Sequence, residues 1–334
     1  MKTKHNLSID EAVQLLQEGE AVAFPTETVY GLGADAIRSE AIDKIYLAKG
    51  RPSDNPLIIH IGAFEQIKDY AREVPQKAQQ LIDAFWPGPL TIILPKQDCL
   101  ADNATAGLDS VGIRMPSHPV AMELLKKVNL PIAAPSANTS GRPSPTSAEH
   151  VVDDLDGRIA GIVDGGEVNI GLESTVIDCT VEPPIILRPG EVTREEIEAV
   201  IGKVDIDKSL KDIEFTPKSP GMKYKHYAPN APLTIIKGNH DFFQKVIDEA
   251  KSQEKKIGLL VTEENKEKYD ADIVLVCGSQ NDLLSVAQRL YDVLREFDEH
   301  DIDIIYSESF PDSGLGEAIM NRLLKASGYQ VIEE

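Results

Sequence analysis

The chain has 334 residues, 42% of them hydrophobic and 27% charged, a composition typical of a globular protein with room for two domains. The net charge of −21 disfavours a protein that coats nucleic acid through its overall field, and no run of 18 apolar residues predicts a membrane span. Residues 231–334 carry 11 Lys+Arg against 21 Asp+Glu, a net of −10, which leaves −11 for residues 1–230. Any anion site must therefore be a local cationic pocket.

Cysteine usage and the N-terminal residues bear on the cellular compartment. Cys99, Cys179 and Cys277 lie far apart, and three cysteines without CxxC spacing indicate neither a disulfide framework nor a metal site. The opening residues MKTKHNLSIDEAV contain no apolar segment and no cleavage site, so we expect no secretory signal. These features predict a cytoplasmic protein.

The first 200 residues alternate helical and strand-like patterns. Ser8 and Glu11 predict a capping box ahead of a helix that Gly19 ends. Strands are predicted at 20–24, 57–61, 90–94, 110–114, 131–134, 161–164, 174–179 and 184–188, and helices at 39–48, 75–85, 118–128, 146–155 and 193–201. Because several strands follow one another without a helix between them, the pattern favours a mixed sheet.

A second pattern begins after an irregular stretch. Residues 204–230 have weak periodicity and clustered basic and aromatic residues, which is typical of a linker. The region 231–334 then predicts strands at 233–237, 256–262, 272–276 and 302–306, and helices at 240–252, 281–298 and 315–327. We therefore predict an α/β chain: a first domain at 1–203 with an open mixed sheet, a linker at 204–230, and a small Rossmann-like α/β domain at 231–334.

Common nucleotide and metal motifs are absent from the sequence. There is no GxxxxGK[ST] loop, no GxGxxG after a strand, no GxSxG elbow and no HExxH. The segment FPTETVYGLG, residues 24–33, instead places hydroxyl and acid groups after a predicted strand. They either satisfy local backbone donors or, through Thr28, face a polar ligand.

A second segment, KGRPSDNPLIIHI at 49–61, joins two cations to a loop restricted by prolines. Lys49 and Arg51 form either a solvated basic loop or a site for phosphate or carboxylate. His60 lies within the following strand, on the face opposite its apolar neighbours, either as a core histidine or in a site. Arg114 ends another apolar strand, where a buried guanidinium requires an internal carboxylate or an anionic ligand.

Taken together, the motifs of the chain resemble a known family. In order they read FPTETVYGLG, KGRPSDNPLIIH, WPGPLT, VGIRMP, APSANTSGRPSPT, ESTVID, LRPG and SPGMKYKHYAP. This order resembles the threonylcarbamoyl-adenylate synthases of the YrdC-domain family over nearly the whole chain. The last motif and the C-terminal domain are similar to the longer, yeast-type members. The family's first domain is an open, twisted α/β sheet around a concave cationic cavity, which agrees with the mixed-sheet prediction.

The resemblance implies a set of ligand contacts. The threonine side would be formed by Thr28, His60, Arg114, Ala134 and Ser174. The ATP side would be formed by Arg51, Asn55, Ser110, Ser136, Ser144, Arg188 and Tyr227. Lys49 and Arg51 would stabilise developing charge, and no covalent nucleophile is expected.

The implied reaction joins L-threonine, bicarbonate or CO₂, and ATP into threonylcarbamoyl-AMP and pyrophosphate. A separate enzyme would then modify adenosine 37 of ANN-decoding tRNAs. Mg²⁺ is expected on the ATP phosphates, with no protein metal motif. We further expect residues 217–229 to close as a lid, with Pro220-Gly221 as a bend and Tyr227 on ATP. Two alternatives stay open: a double-stranded RNA or tRNA-binding module without catalysis, and a carbamoyl-transfer enzyme of related domain type.

Overall fold

The computed structural model describes residues 2–207 and 226–334, and the chain divides into two compact units. The first unit contains Met1–Ser140 and Ser144–Asp212, and the second contains Gly141–Pro143 and Ile213–Glu334. In the described part of the chain, no helix is both long enough and apolar enough to cross a bilayer.

A large mixed sheet organises the first unit. Its strands are β1 Val22–Phe24, β2 Gly31–Asp35, β3 Ile58–His60, β4 Leu90–Pro95, β5 Ser110–Arg114, β6 Ile132–Ala133, β7 Gly161–Ile162, β8 Thr175–Asp178, β9 Ile185–Arg188 and β10 Asp205–Ile206. They are ordered β10-β9-β8-β4-β5-β3-β6-β2-β1-β7. Strands β3 and β5 are parallel, whereas β4 and β5 are antiparallel, which confirms the mixed sheet.

Helices cover both faces of this sheet. They are α1 Ile9–Gln17, α2 Ser39–Lys49, α3 Ile67–Tyr70, α4 Gln76–Phe85, α5 Pro119–Val128, α6 Ala148–Leu155 and α7 Arg194–Ile201. The capping boxes predicted at Ser8 and Thr193 are confirmed at the starts of α1 and α7. Along β1, Ala23 joins one core cluster while Val22 and Phe24 join another, so the two clusters lie on opposite faces of the sheet.

Two strands of this unit were not predicted. The glycine-rich sequence of β2 has low strand propensity, but a Cβ on Gly33 would lie 2.6 Å from Phe24 Cε1 and 2.7 Å from Ile132 Cγ2. The close packing of neighbouring strands therefore requires glycine there. The second is β10, which lies at an edge of the sheet and pairs in parallel with β9, so the sheet extends past residue 203, where the sequence placed the domain boundary.

The second unit is built on a parallel sheet, as predicted. Its strands are β11 Leu233–Lys237, β12 Ile257–Val261, β13 Ile273–Val276, β14 Ile304–Ser307 and β15 Val331–Glu333, in the order β13-β12-β14-β11-β15. The helices are α8 His240–Ser252, α9 Leu283–Glu296 and α10 Leu315–Ala326. Among the described strands of this unit, the short strand β15, which pairs with β11, was not predicted from the sequence.

Candidate active site

The site is built on three neighbouring strands, β5, β3 and β6. In the parallel pair β3 and β5, His60 is the register partner of Arg114. On the other side of β3, the residue after β6 donates from its backbone, with Ala134 N 2.9 Å from Ile58 O. The fold thus brings together three of the residues predicted for the threonine side.

Arg114 is engaged by protein groups through each of its nitrogen atoms. Its Nη1 donates to Thr28 Oγ1 at 2.9 Å, its Nε donates to the Gly88 carbonyl at 3.3 Å, and its Nη2 lies 2.7 Å from Glu27 Oε1. The side chains of Arg114 and Glu27 are only 4% and 5% exposed. Of the two partners that the sequence allowed for Arg114, the internal carboxylate is therefore present, and it is Glu27. A threonine contact to Arg114 stays a prediction.

The buried loop between β1 and β2 confirms the local role that the sequence offered for its polar residues, whereas a ligand contact of Thr28 stays a prediction. Thr26 makes the local contacts: its Oγ1 donates to the Val29 carbonyl at 2.7 Å and accepts from Thr28 N at 3.2 Å. Thr28 instead turns its hydroxyl to Arg114. The neighbouring carboxylate of Glu27 was not among the predicted site residues, and its pairing across 87 positions leaves no local sequence signal.

His60 is a neutral, buried imidazole. Its Nδ1 lies 3.2 Å from the Ile58 carbonyl, and because a carbonyl only accepts, Nδ1 is the donor. Burial, and secondarily the charge of Arg114, lowers the pKa of His60 to about 3. Its ring also meets Phe24 edge to face at 6.3 Å. Nε2 therefore carries the lone pair at neutral pH.

A second polar group joins Ser174 to Arg188. Arg188 donates from Nε to the Ser174 carbonyl at 2.9 Å and from Nη2 to Ser174 Oγ at 3.1 Å. Ser174 Oγ is also 2.8 Å from Thr91 Oγ1. A residue predicted for the threonine side and one predicted for ATP therefore lie in direct contact.

Lys49 holds the loop after β6 and is almost fully buried, at 3% exposure. Its Nζ donates to the carbonyls of Ser136 and Asn138, the latter at 2.8 Å. Ser136 Oγ in turn donates to Asn138 Oδ1 at 2.5 Å. Burial, together with the nearby charge of Arg51, lowers the pKa of Lys49 to about 7. Asn138 was not among the predicted site residues, although it lies in the polar loop that the sequence singled out.

The loop after α2 is far more open than Lys49 itself. Residues 52–56 are exposed, and Arg51 is half-buried with Nη2 donating to the Asn55 carbonyl at 3.2 Å. Tyr46 Oη donates to the same carbonyl at 3.2 Å. Ser110, the first residue of β5, is half-buried opposite Pro95 of β4.

The segment 170–174 connects the two halves of the site. Gly171 N donates to the Thr28 carbonyl at 3.0 Å, which ties the segment to the threonine side. Glu173 accepts from the fully buried Ser144 Oγ at 2.5 Å, which ties it to the predicted ATP side. The sequence did not predict a role for Glu173, since its partner lies on a separate loop.

One predicted contact lies in the second unit. The Tyr227 ring stacks on Tyr291 of α9, with centroids 5.1 Å apart and planes inclined by 27°. The predicted lid, residues 217–229, falls mostly outside the described residues, including the bend at Pro220-Gly221. The contact of Tyr227 with ATP and the lid itself stay predictions.

Comparisons with known proteins agree with the motifs. A family model described as "Telomere recombination" matches residues 14–190, and one described as "Threonylcarbamoyl-AMP synthase, C-terminal domain" matches residues 192–328. The threonylcarbamoyl-AMP synthase of Bacillus subtilis is 57% identical, covering 97% of this chain and 94% of that protein. The threonylcarbamoyl-AMP synthase of Pyrococcus abyssi is 49% identical, covering 96% of this chain and 94% of its own length.

Solved structures extend the likeness to the fold. The structure of Pyrococcus abyssi Sua5 complexed with L-threonine matches with a TM-score of 0.90 at 46% identity, covering 100% of this chain and 99% of that one. A doubly substituted Sua5 from the same organism matches with a TM-score of 0.92 at 45% identity, covering 100% and 98%. The chain therefore belongs to the threonylcarbamoyl-AMP synthase family, in its long two-domain form.

Proposed function

We propose that this protein forms L-threonylcarbamoyl-AMP and pyrophosphate from L-threonine, bicarbonate or CO₂, and ATP. The observation that carries the proposal is the buried polar group around Arg114, adjoining the Lys49-held loop, in a chain that aligns over 97% of its length with a named synthase. The related Pyrococcus abyssi structure is described as a complex with L-threonine, which supports this amino acid as the substrate.

The threonine side would recognise a small polar amino acid. Arg114 offers a guanidinium to the carboxylate, and its partner Thr28 offers a hydroxyl. His60, with its Nε2 lone pair, accepts a hydrogen bond from a hydroxyl donor without carrying charge. Ala134 and Ser174 complete the pocket with a backbone group and a second hydroxyl.

The ATP side would combine exposed and buried polar groups. Its proposed contacts are Arg51, Asn55, Ser110, Ser136, Ser144, Arg188 and Tyr227. Lys49 would act from inside the protein, because its ammonium fixes the backbone carbonyls of the loop that carries Ser136. Arg51, on the open loop, is the better placed of the two cations to meet phosphate oxygens.

The chemistry needs positioning more than a protein nucleophile. The threonine amine adds to CO₂ to give a carbamate, whose oxygen then attacks the α-phosphorus of ATP and displaces pyrophosphate. The protein's part is to align the two reactants, to offset growing negative charge with Arg51, and to exclude water from the carbamate and the mixed anhydride.

A Mg²⁺ ion is proposed to accompany ATP. Glu27 lies against the Arg114 guanidinium and Glu173 accepts from Ser144, and the residues that the structure describes hold no group of three His, Cys, Asp or Glu that could bind a metal. We therefore propose that phosphate oxygens and water hold the ion. When bound, Mg²⁺ would neutralise phosphate charge.

The product is proposed to supply the modification of adenosine 37 in ANN-decoding tRNAs through a separate transferase. Such a product is a mixed anhydride, so a nucleophilic acceptor must take it up before it hydrolyses. No observation at the site specifically supports the RNA-binding or the carbamoyl-transfer alternative.

Pyrophosphate release tests the proposal. We expect release only when ATP, L-threonine and bicarbonate are all present, and a return to background when any one is omitted. Pyrophosphate or AMP formed at the same rate without threonine would instead indicate a nucleotide hydrolase.

A further inference from the structure

Glu27 presents a buried carboxylate with unsatisfied oxygen atoms. The residue is 4% exposed, yet neither Oε1 nor Oε2 makes a hydrogen bond of good geometry to any residue that the structure describes. The same holds for Arg114 Nη2, although it lies 2.7 Å from Glu27 Oε1. The contact therefore supplies opposite charge without an aligned N–H, and both groups keep hydrogen-bonding capacity.

Buried carboxylates normally have several donors around them, so this exception calls for a partner. Burial, the largest single influence, would raise the pKa of Glu27, but the charge and side chain of Arg114, together with the backbone N–H groups of Glu27 and Ser117, hold that pKa below its ordinary value. The carboxylate is therefore ionised at neutral pH. An ionised, buried and incompletely bonded oxygen pair is well suited to a cationic donor.

Besides Arg114, the backbone N–H groups of Glu27 and Ser117 lie near the Glu27 carboxylate, but neither reaches good hydrogen-bond geometry with its oxygens. The Thr28 hydroxyl is already engaged with Arg114 and Thr26. The buried Nδ1 of His118 also makes no hydrogen bond among the described residues. Burial lowers the pKa of His118, and the nearby charge of Glu27 opposes that shift. The half-buried Glu191 adds a second negative charge within range of Glu27. The negative charges around Glu27 thus favour binding of a cationic group beside its carboxylate.

An α-amino acid is the complement of such a pair. Its ammonium and carboxylate are attached to one carbon, which holds them within about 3 Å of each other. Glu27 and Arg114 present the opposite charges side by side at a similar spacing, 2.7 Å. A zwitterion laid antiparallel to this pair satisfies both charges at once.

We propose that Glu27 receives the α-ammonium group of the incoming amino acid while Arg114 holds its carboxylate. This inference deepens the proposed function and rests on it, since it assigns a specificity-determining role at the same threonine site. Glu27 would also keep Arg114 from capturing carboxylates that lack an amine, because such ligands bring a negative charge toward Glu27 without a compensating cation.

The test compares L-threonine with (R)-3-hydroxybutyrate, which keeps the carboxylate, the hydroxyl and the carbon chain but lacks the amine. Binding of each ligand is measured by calorimetry on the full chain and on Glu27→Gln. We expect wild type to prefer threonine by at least about tenfold, and Glu27→Gln to lose about tenfold in threonine affinity while binding (R)-3-hydroxybutyrate as well as wild type or better.

Two further variants keep the test decisive. Glu191→Gln, which removes the half-buried neighbouring charge and leaves Glu27 in place, should weaken the preference for threonine by less than Glu27→Gln does. Glu27→Asp, which retains the charge, should keep a preference for threonine even if Glu27→Gln does not fold. Equal losses for both ligands, no loss for either, or a wild type without preference would each overturn the inference. Failure of wild type to bind threonine and release pyrophosphate would instead reject the proposed function.

Discussion

Two loops of the first unit supply the candidate site in opposite ways. Residues 24–30 are buried throughout, and their polar side chains lie against one another, against Arg114 or, for Tyr30, against the Gly166 carbonyl. Residues 50–56 are exposed or half-buried, and Arg51 Nη2 donates to the Asn55 carbonyl of the same loop. The first loop is part of the core, and the second lies on the surface.

This difference indicates which substitutions should change both stability and ligand binding, and which should change ligand binding alone. A polar group buried in the core must be satisfied by the fold itself, so changes near Arg114 should affect stability and ligand capture together. A cation on an exposed loop is solvated before binding, so changes at Arg51 should affect ligand capture alone. Variants of the two loops can therefore separate the two effects.

Arg114→Ala should have the largest effect. Removing the guanidinium leaves the Glu27 carboxylate buried without its counter-charge, which typically costs about 3–5 kcal/mol. We expect that loss in the free energy of unfolding measured with urea, together with loss of threonine-dependent activity. Arg194→Ala, which breaks only a half-buried pair with Glu198, is the matched control. An Arg114→Ala protein as stable as wild type would remove the distinction between the two loops.

Arg51→Ala should impair nucleotide use without affecting the fold. Loss of a charge-assisted contact to phosphate is worth about 1.5–3 kcal/mol, or roughly 10- to 150-fold in kcat/KM for ATP. The free energy of unfolding should change by less than about 0.5 kcal/mol. Arg72→Ala, an exposed arginine outside the site, is the control for both measurements. Large destabilisation with unchanged ATP kinetics would make Arg51 a structural residue.

Acid stability should depend on the buried threonine side of the site through His60 of β3. Its pKa is about 3 in the folded chain against 6.5 as the ordinary value, so the unfolded chain binds more protons between these limits. Stability should therefore fall as the pH is lowered from 6.5 to 3, by up to a few kcal/mol. His60→Gln, which cannot titrate, should lose less over the same window in urea unfolding. Parallel pH profiles for the two proteins would contradict this.

Serine should be a slightly poorer substrate than threonine. The pocket proposed around Thr28, Ala134 and Ser174 is lined by small side chains, where the threonine methyl group gains about 1 kcal/mol of apolar contact. We expect a roughly fivefold lower kcat/KM for serine in the pyrophosphate assay. Equal values for the two amino acids would show that the methyl group is not recognised.

Much of the fold could be predicted because its signals are local. The capping boxes at Ser8 and Thr193 fix the starts of α1 and α7, and the apolar runs of β3, β4 and β5 are recognisable without their neighbours. Strand β2 could not be predicted in this way. Its glycines disfavour a strand locally, and only the approach of Phe24 and Ile132 explains them.

The contacts of the candidate site depend even more than the fold on residues that are distant in the sequence. Sequence motifs placed Thr28 and Arg114 in one site, but they did not reveal that Glu27 lies against Arg114. They also did not reveal that the Lys49 ammonium lies inside the protein against the carbonyls of Ser136 and Asn138, while its place near phosphate stays a prediction. Pairings over this sequence separation depend on the tertiary fold, and a local pattern does not contain them.

The central claim is that threonine, an inorganic carbon source and ATP are joined in one product. It is tested most directly by mass spectrometry of the reaction with ¹³C-labelled bicarbonate, with quenching before the mixed anhydride hydrolyses. We expect an adenylate containing threonine and one ¹³C atom, formed only when all three substrates are present. An adenylate of threonine without the label, or AMP alone under every condition, would contradict the account.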